Sequence, residues 1–428
     1  MILIAFFLFI GMLLLSLHIA TALGVSAYVL SELYSPLDVM LAAGEVAWTG
    51  STGFILVCVP LYILLGELLL RSGIADGMYN AMSRWLSWLP GGLMHANVSA
   101  SAMFAATSGS SVATAATIGT VALPQMDKEQ YNRSLFLGSI VAGGTLGILI
   151  PPSVALIIYG VLTDNSIPRL YLAGIAPGLG LAAMFSLSIV ILCLFRRRWG
   201  GRPLHSTWSE RFRVLPDLLP PIVIFLVVIG TIYTGFATPT ESAAFGVIAA
   251  LGVAAAKRRL TWSMLMASLE STVRVTSMVM IIVLFAFIFN FVINVIGLVD
   301  IIIDGVTELQ LTKYQTFLAV VVMFIILGCF METMTMLIAI VPTTTQVMMG
   351  VGFDGVWFGI VIVLLMEMAL ITPPVGMNIF VIQGLRKDLR FPEVARGCTP
   401  FIIAVMTMIA LLALFPGIAL YIPDTVFN

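Results

Sequence analysis

The feature that most constrains this chain is where its charges are absent. No Asp, Glu, Lys or Arg occurs in residues 1–31, 46–66, 85–126, 134–163, 170–195, 218–240, 275–299, 333–353, 368–385 or 397–423. A membrane-spanning helix needs about 20 mostly apolar residues, and most of these windows reach that length. Charged residues make up 10% of the 428 positions and apolar ones 60%, whereas a soluble domain carries about a quarter charged residues to face water. The sequence predicts an all-α polytopic membrane protein in contact with a lipid bilayer. A net charge of −1 gives no argument for nucleic acid. Cys58, Cys193, Cys329 and Cys398 are far apart and read as small packing residues. His18, His95 and His205 are equally scattered and form no metal-ligand pattern.

Positive charge sorts to one side of a membrane. The densest basic loop holds Arg196, Arg197, Arg198, Arg202, Arg211 and Arg213, followed by Lys257–Arg259 and Arg386–Arg396. Placing these inside leaves Glu32, Asp38, Glu45, Asp300, Asp304, Glu308 and Asp354 outside, with Arg169 and Lys313 as the only outer cations. The trace predicts a cytoplasmic N-terminus, a periplasmic C-terminus, about nine crossings and two hairpins that do not cross. The first apolar run is too long for a signal peptide and lacks a basic start, so it is expected to remain as the first helix. Residues 72–92 and 260–274 mix Trp, Met and single charges, which suggests helices lying along the interface.

An internal repeat fixes the architecture further. Residues 143–153 read GGTLGILIPPS and residues 368–378 read MALITPPVGMN, so Pro151-Pro152 and Pro373-Pro374 each interrupt an apolar run, 222 positions apart. Before the first pair, residues 85–126 are too long for one span, and their centre, FAATSGSSVATAATIGT, is small and polar. Gly109 with Ser108, Ser110 and Ser111 would break a helix there, which is tolerable only against protein or water; two ordinary helices with a tight turn are the alternative. The same interval leads to Glu332 within LGCFMETMTML. Two inverted-topology repeats are therefore predicted. The first is 1–195, with a re-entrant helical hairpin at about 94–125 and a broken transmembrane helix at about 134–162. A cytoplasmic linker, 196–217, leads to the second, 218–428, with a hairpin at about 315–350 and a broken helix at about 355–385.

Proline removes a backbone donor and frees carbonyls one turn earlier, and an unpaired carbonyl in hydrocarbon costs several kcal/mol. The groups near both breaks are uncharged oxygens, from carbonyls and from Ser and Thr. Such oxygens suit a sodium ion at an unwound helix; the other outcome is a kink satisfied by neighbouring side chains or water.

The motifs SGSSVATAATIGTVALPQM, GGTLGILIPPS, TPTESAA at Thr238–Ala244 and ITPPVGMN, in this order, resemble the large membrane subunit (M subunit, DctM-like) of the TRAP, or tripartite ATP-independent periplasmic, transporters. The resemblance covers essentially the whole chain. It implies sodium-driven import of organic acids across a bacterial inner membrane by an elevator motion, with two partners: a small membrane subunit of about four helices and a periplasmic substrate-binding protein. Carried over by residue, it implies a first Na+ site at Ser108, Ser111, Gly147, Ile150 and Pro152, and a second at Gly328, Ala369, Thr372 and Val375. Relatives often have Gly where this chain has Ala369. The organic anion is expected between the hairpin tips and Thr145, Ser153, Thr372 and Asn378, near half-helix N-termini that favour negative charge.

Two carboxylates fall within apolar stretches, where an ionisable group is a functional candidate. Glu332 and Glu367 are each candidates for carrying a coupling proton or for pairing with Asn290 or Asn294. Otherwise Glu332 faces an aqueous cavity and Glu367 a subunit contact. The rival within transport is a stand-alone sodium/anion symporter that needs no delivery protein. A membrane-embedded enzyme lacks support: HExxH, Gly-x-Ser-x-Gly, Walker sequences and paired Asp residues are all missing.

Overall fold

The computed structural model describes residues 1–15, 17–35, 38–202 and 206–427, and among these the regular structure is entirely helical. His205 lies outside the described residues. Six helical runs are long and apolar enough to cross a bilayer: 54–71, 167–195, 208–233, 239–256, 262–295 and 391–414. The remaining apolar length lies in shorter or interrupted helices, so the expected nine crossings do not correspond to nine continuous spans. The N-terminal apolar run is not one helix. It forms Ile2–Leu14 and Ile19–Tyr34, separated at His18, whose extended backbone and ring Nδ1, accepting from the Ala20 N–H at 3.3 Å, start the second helix.

A second correction concerns residues 260–274. They do not form a separate interfacial helix but begin a 34-residue helix, Trp262–Val295. That stretch contains neither Gly nor Pro, so nothing stops helix propagation where the polar segment meets the apolar one. At 1.5 Å per residue the helix is about 51 Å long, well beyond the roughly 30 Å hydrocarbon core. Residues 72–92 do contain a separate helix, Ile74–Leu86, which starts after Gly73 in the left-handed region and buries Ile74, Met78, Tyr79 and Ala81 on one face.

Element boundaries recur along the chain. Leu93–Ser108, Ser111–Lys128, Arg133–Thr145, Val154–Leu162 and Ile167–Phe195 reappear, after about 222 residues, as Lys313–Gly328, Thr333–Gly350, Gly355–Ile371, Met377–Leu385 and Phe391–Leu414. The second of these is bent by 53° between Ala339 and Val341; Pro342, which cannot donate into the preceding turn, sits at the bend. Helix starts follow from caps legible in the sequence. Asn132, Ser153, Ser166, Thr261 and Asp354 each accept a backbone N–H three residues on. The TPTE stretch is a capping box: the Thr238 hydroxyl accepts from Glu241 N–H while Glu241 Oε2 accepts from Thr238 N–H at 2.8 Å.

The helices pack as two groups. Ile19–Tyr34, Cys58–Arg71, Pro239–Ala256 and Trp262–Val295 pack on one another; the hairpins and broken helices pack with Ile167–Phe195 and Phe391–Leu414. The groups meet chiefly where Cys58–Arg71 and Leu219–Tyr233 touch the first hairpin. Within the second group the two halves are tied directly. Tyr159 donates its hydroxyl to the Gly355 carbonyl at 2.6 Å; within the second half, the Trp357 indole donates to the Leu412 carbonyl at 3.0 Å. At one end, Arg133 pairs with Asp388 and Glu393, while Arg386 pairs with Asp388 and Asp127. The Arg386 and Arg133 guanidinium groups hold the Asp388 carboxyl well below the usual carboxylate range.

Helices Arg133–Thr145 and Phe391–Leu414 cross with backbones in contact at Gly138 and Gly397, where a Cβ on Gly138 would overlap the Gly397 carbonyl. Such close approach is what small residues permit between membrane helices. Gly138→Ala should lower the detergent-state melting stability by about 1–3 kcal/mol through overpacking. Gly384→Ala, with open space around it, should leave stability unchanged or slightly raised. A thermal unfolding series of the two purified variants checks both.

Candidate functional site

The first hairpin turns at Gly109 (φ 62°) and Ser110, which caps the second arm by accepting from Ala113 N–H. The first broken helix ends in a 3-10 turn whose last backbone donor is Ile150 N–H, to the Leu146 carbonyl at 3.0 Å; it then passes through the Pro151-Pro152 pair (a cis peptide bond) and restarts at Val154 under a Ser153 cap. These two irregular points lie against each other. A Cβ on Gly147 would stand 2.6 Å from the Ser110 carbonyl oxygen, and one on Gly109 2.9 Å from the Pro152 carbonyl oxygen. Ser111 donates its hydroxyl to the Thr145 carbonyl at 3.0 Å. Ser111, Gly147 and Pro152 are therefore brought together at the hairpin tip.

Ser108 and Ile150 stand at the edge of this cluster. The Ser108 hydroxyl pairs with Thr114 Oγ1 at 3.1 Å, and its carbonyl faces Gly66, where a Cβ would come within 2.7 Å. Ile150 turns its side chain to Gly178, so only its backbone is available to the break. Thr145 and Ser153 are fully buried, and their hydroxyls donate to the Ala142 and Ile148 carbonyls at 2.8 and 2.5 Å. Both hydroxyls satisfy the broken helix itself. Asn378, also fully buried, donates to the Val141 carbonyl at 3.4 Å and leaves Oδ1 without a partner among the described residues.

The second break repeats this plan. Gly355–Ile371 ends at Thr372 in extended conformation, the cis Pro373-Pro374 pair follows, and Gly376 (φ 47°) leads into Met377–Leu385. Gly328, Ala369 and Val375 line one small cavity of about 10 Å³ with Glu332 and Thr333, about the room one water or ion centre requires. A Cβ on Gly328 would lie 2.6 Å from the Ala369 Cβ, so glycine at 328 makes room for alanine at 369. Thr372 donates its hydroxyl to the Met368 carbonyl at 2.6 Å. Cys329, half-buried, places Sγ 3.6 Å from the Pro373 carbonyl, to which it donates. In each half a hairpin side chain, Ser111 or Cys329, thus donates to a carbonyl at the facing break.

The two carboxylates separate. Glu332 caps helix Thr333–Ala339, accepting from the Thr335 N–H at 3.1 Å and the Thr333 hydroxyl at 3.0 Å. It does not pair with Asn294, whose amide donates to the Asn290 carbonyl in its own helix. Glu367 is 0% exposed within the chain, and neither oxygen has a partner among the described residues. Burial inside one chain excludes the subunit-contact alternative for Glu367.

Sequence reasoning missed the contacts of Gly66 and Cys329. Ser110 lay in the recognised polar tip. Gly66 sits in LLGELLL and Cys329 beside Gly328 with no local pattern, because their roles arise from contacts with segments tens of residues away.

An all-helical membrane chain with two hairpins set against two interrupted helices is a transporter architecture. The Alcanivorax borkumensis YdaH transporter, of unusual topology, shares the fold with a TM-score of 0.64 over 93% of this chain and 97% of that one, at 13% identity. The sequence model of the family described as Tripartite ATP-independent periplasmic transporter, DctM component, matches residues 6–418. The chain belongs to that family. It is 31% identical over 376 residues to the ectoine TRAP transporter large permease protein TeaC of Halomonas elongata, covering 87% of each chain. It is 29% identical to the C4-dicarboxylate TRAP transporter large permease protein DctM of Pseudomonas aeruginosa, covering 94% of each. It is also 29% identical to the sialic acid TRAP transporter large permease protein SiaM of Vibrio cholerae, over 88% of this chain and 87% of that one.

Gly109→Ala puts a Cβ into the left-handed region, which costs about 1–2 kcal/mol, and against the Pro152 carbonyl as well. Its melting temperature should fall further than that of Gly109→Asn, since Asn tolerates this conformation better. Equal melting of the two variants would mean that the turn geometry does not govern the tip.

Proposed function

We propose that this chain is the permease subunit of a sodium-coupled importer of small organic acids or related solutes in a bacterial inner membrane. It works with a small membrane subunit and a periplasmic substrate-binding protein. The observation that carries this reading is the apposition of each hairpin tip with a diproline break, where the sequence supplies uncharged oxygens and backbone turns. The N-terminus is placed in the cytoplasm and the C-terminus in the periplasm, with the halves inserted in opposite senses, because this sorts Arg and Lys to one side.

In this scheme Ser108, Ser111, Gly147, Ile150 and Pro152 offer hydroxyls and carbonyls to one sodium ion. The Ser111 hydroxyl, while donating to the Thr145 carbonyl, keeps lone pairs for a cation. Gly328, Ala369, Thr372 and Val375 offer mainly carbonyls to another. A cation at each break offsets the cost of leaving carbonyls unpaired in a low-dielectric interior. The substrate is held beside the tips, with Asn378 Nδ2 able to donate to its anionic group and Oδ1 able to accept from a substrate hydroxyl or N–H, and Thr145, Ser153 and Thr372 shaping the surround. One charge crossing 100 mV supplies about 2.3 kcal/mol. Two sodium ions with a monoanion therefore gain from both the potential and the sodium gradient, without nucleotide. Transport proceeds by an elevator motion, the hairpin-containing group moving against the other.

The test is uptake into vesicles holding the purified membrane subunits, with binding protein outside and sodium or potassium in the gradient. Uptake should require both sodium and binding protein. Uptake without binding protein would instead identify a stand-alone sodium/anion symporter. Ser108→Ala combined with Ser111→Ala should raise the sodium concentration for half-maximal uptake at least fivefold at unchanged protein level; an unmoved curve removes the first site. Thr372→Val should shift the same curve upward, and a superimposable one removes Thr372.

A further inference from the structure

Helix Ile167–Phe195 ends in a segment whose charge is unbalanced. Of its cations, Arg196, Arg197, Arg198, Arg202, Arg211 and Arg213 form no ion pair among the described residues, and the segment's Glu210 is already paired with Arg84 at 3.1 Å. Arg211 is half-buried, with Nε lacking an acceptor and its guanidinium 5.0 Å from the Trp208 ring centre. Arg197 and Arg211 both line a cavity of about 640 Å³, together with Trp88, Gly91, Gly92 and Ser206.

That cavity is shaped by fixed backbone. Gly92 and Gly201 have φ of 42° and 66°, and Cβ atoms there would strike Tyr131, at 2.6 Å from its hydroxyl and 2.7 Å from its ring. Tyr131 is itself held by the Leu93 N–H, which donates to its hydroxyl at 2.9 Å. The rim is apolar and outward-facing: Trp88 is 67% exposed and Leu194 57%. From Leu194 an exposed stripe runs back along the same helix through Ile191 and Leu187. It leads toward a second cavity, of about 500 Å³ and almost wholly apolar, lined by Ile175, Leu179, Met103, Phe225 and Ile229. Fifteen residues separate Leu194 from Leu179, about 22 Å along a helix, comparable with an extended phospholipid acyl chain.

We propose that these two cavities form one binding site for an anionic phospholipid. The phosphate sits between Arg197 and Arg211, and an acyl chain follows helix Ile167–Phe195 into the apolar cavity. Charge complementarity selects the ligand: two guanidinium groups, unpaired and with no carboxylate among the described lining residues, favour a net-negative headgroup over a zwitterionic one, and guanidinium groups bind phosphate in a bidentate fashion. Trp88, Trp208 and Phe212 supply the aromatic surface that settles at a headgroup boundary. The site lies where the first hairpin begins and where helix Leu219–Tyr233 of the other group approaches, so the lipid fills a seam between the two packed groups. It is independent of the sodium and substrate reading.

The test is native mass spectrometry of the delipidated, purified chain titrated with phosphatidylglycerol and with phosphatidylcholine of the same acyl composition. Phosphatidylglycerol should be retained at least tenfold more tightly. Arg197→Gln with Arg211→Gln should abolish that preference, and Arg197→Gln alone, at an exposed side chain, should weaken it if the double variant fails to fold. Arg258→Gln with Arg259→Gln removes the same charge from another basic loop and should leave the preference intact. Equal retention of the two lipids, or equal loss in both double variants, overturns the proposal. Displacement of the lipid by inorganic phosphate at equal concentration would identify a soluble ion as the ligand and overturn it. So would loss of lipid binding on co-expression of the small membrane subunit, which would assign the surface to protein.

Discussion

A peptide group without a hydrogen-bond partner is costly in a medium that offers none, and the structure is organised around two places where this cost must be met. At Pro151-Pro152 and Pro373-Pro374 helical bonding stops deep in apolar sequence. Each break survives because a hairpin tip is pressed against it: Ser111 donates to the Thr145 carbonyl in one half and Cys329 to the Pro373 carbonyl in the other. Glycine makes the approach possible, Gly109 and Gly147 at the first break and Gly328 at the second. The same carbonyls that make the breaks expensive make them suited to a hard cation. In the proposed reading, interruption and sodium coupling would share one physical cause.

The two breaks are not equivalent. The first is closed by hydroxyls: Ser111, Ser153 and Thr145 all donate to backbone carbonyls within or beside it. The second has fewer hydroxyls, a weaker thiol donor, a half-buried carboxylate in Glu332 and a cavity large enough for a single small occupant. Glu332 has a structural duty, capping a helix that restarts after the hairpin turn. Glu367 has none that the described contacts explain, and its buried, unpartnered oxygens set it apart from the other acidic residues among the described residues.

Much of this was legible in the sequence because the signals are local. Charge-free windows marked the membrane, the diproline pairs marked the breaks, and the SGSS run marked a tip whose helix does stop at Ser108 and restart at Ser111. The interval between diprolines also located the second hairpin. What was not legible depends on propagation or on distant contacts. Composition suggested an interfacial helix at 260–274, but helix continuation through an unbroken stretch prevailed over the change in polarity. One first helix was expected where His18 divides two. Thr145 and Ser153 read as substrate contacts because of their position; their hydroxyls also donate to carbonyls of their own broken helix, a bond the sequence does not announce. Cys329 read as packing because nothing near it announces the Pro373 carbonyl 44 residues away.

The central claim, that the hairpin-capped breaks hold sodium, can be read from a native residue. Cys58, Cys193 and Cys398 are buried, whereas Cys329 is half-buried at the second break. Its modification rate by a membrane-permeant maleimide, measured by peptide mass spectrometry in sodium and in potassium at equal ionic strength, should be slower in sodium, because an ion held by Gly328, Ala369, Thr372 and Val375 tightens the tip around the thiol. Equal rates in the two salts would contradict the account.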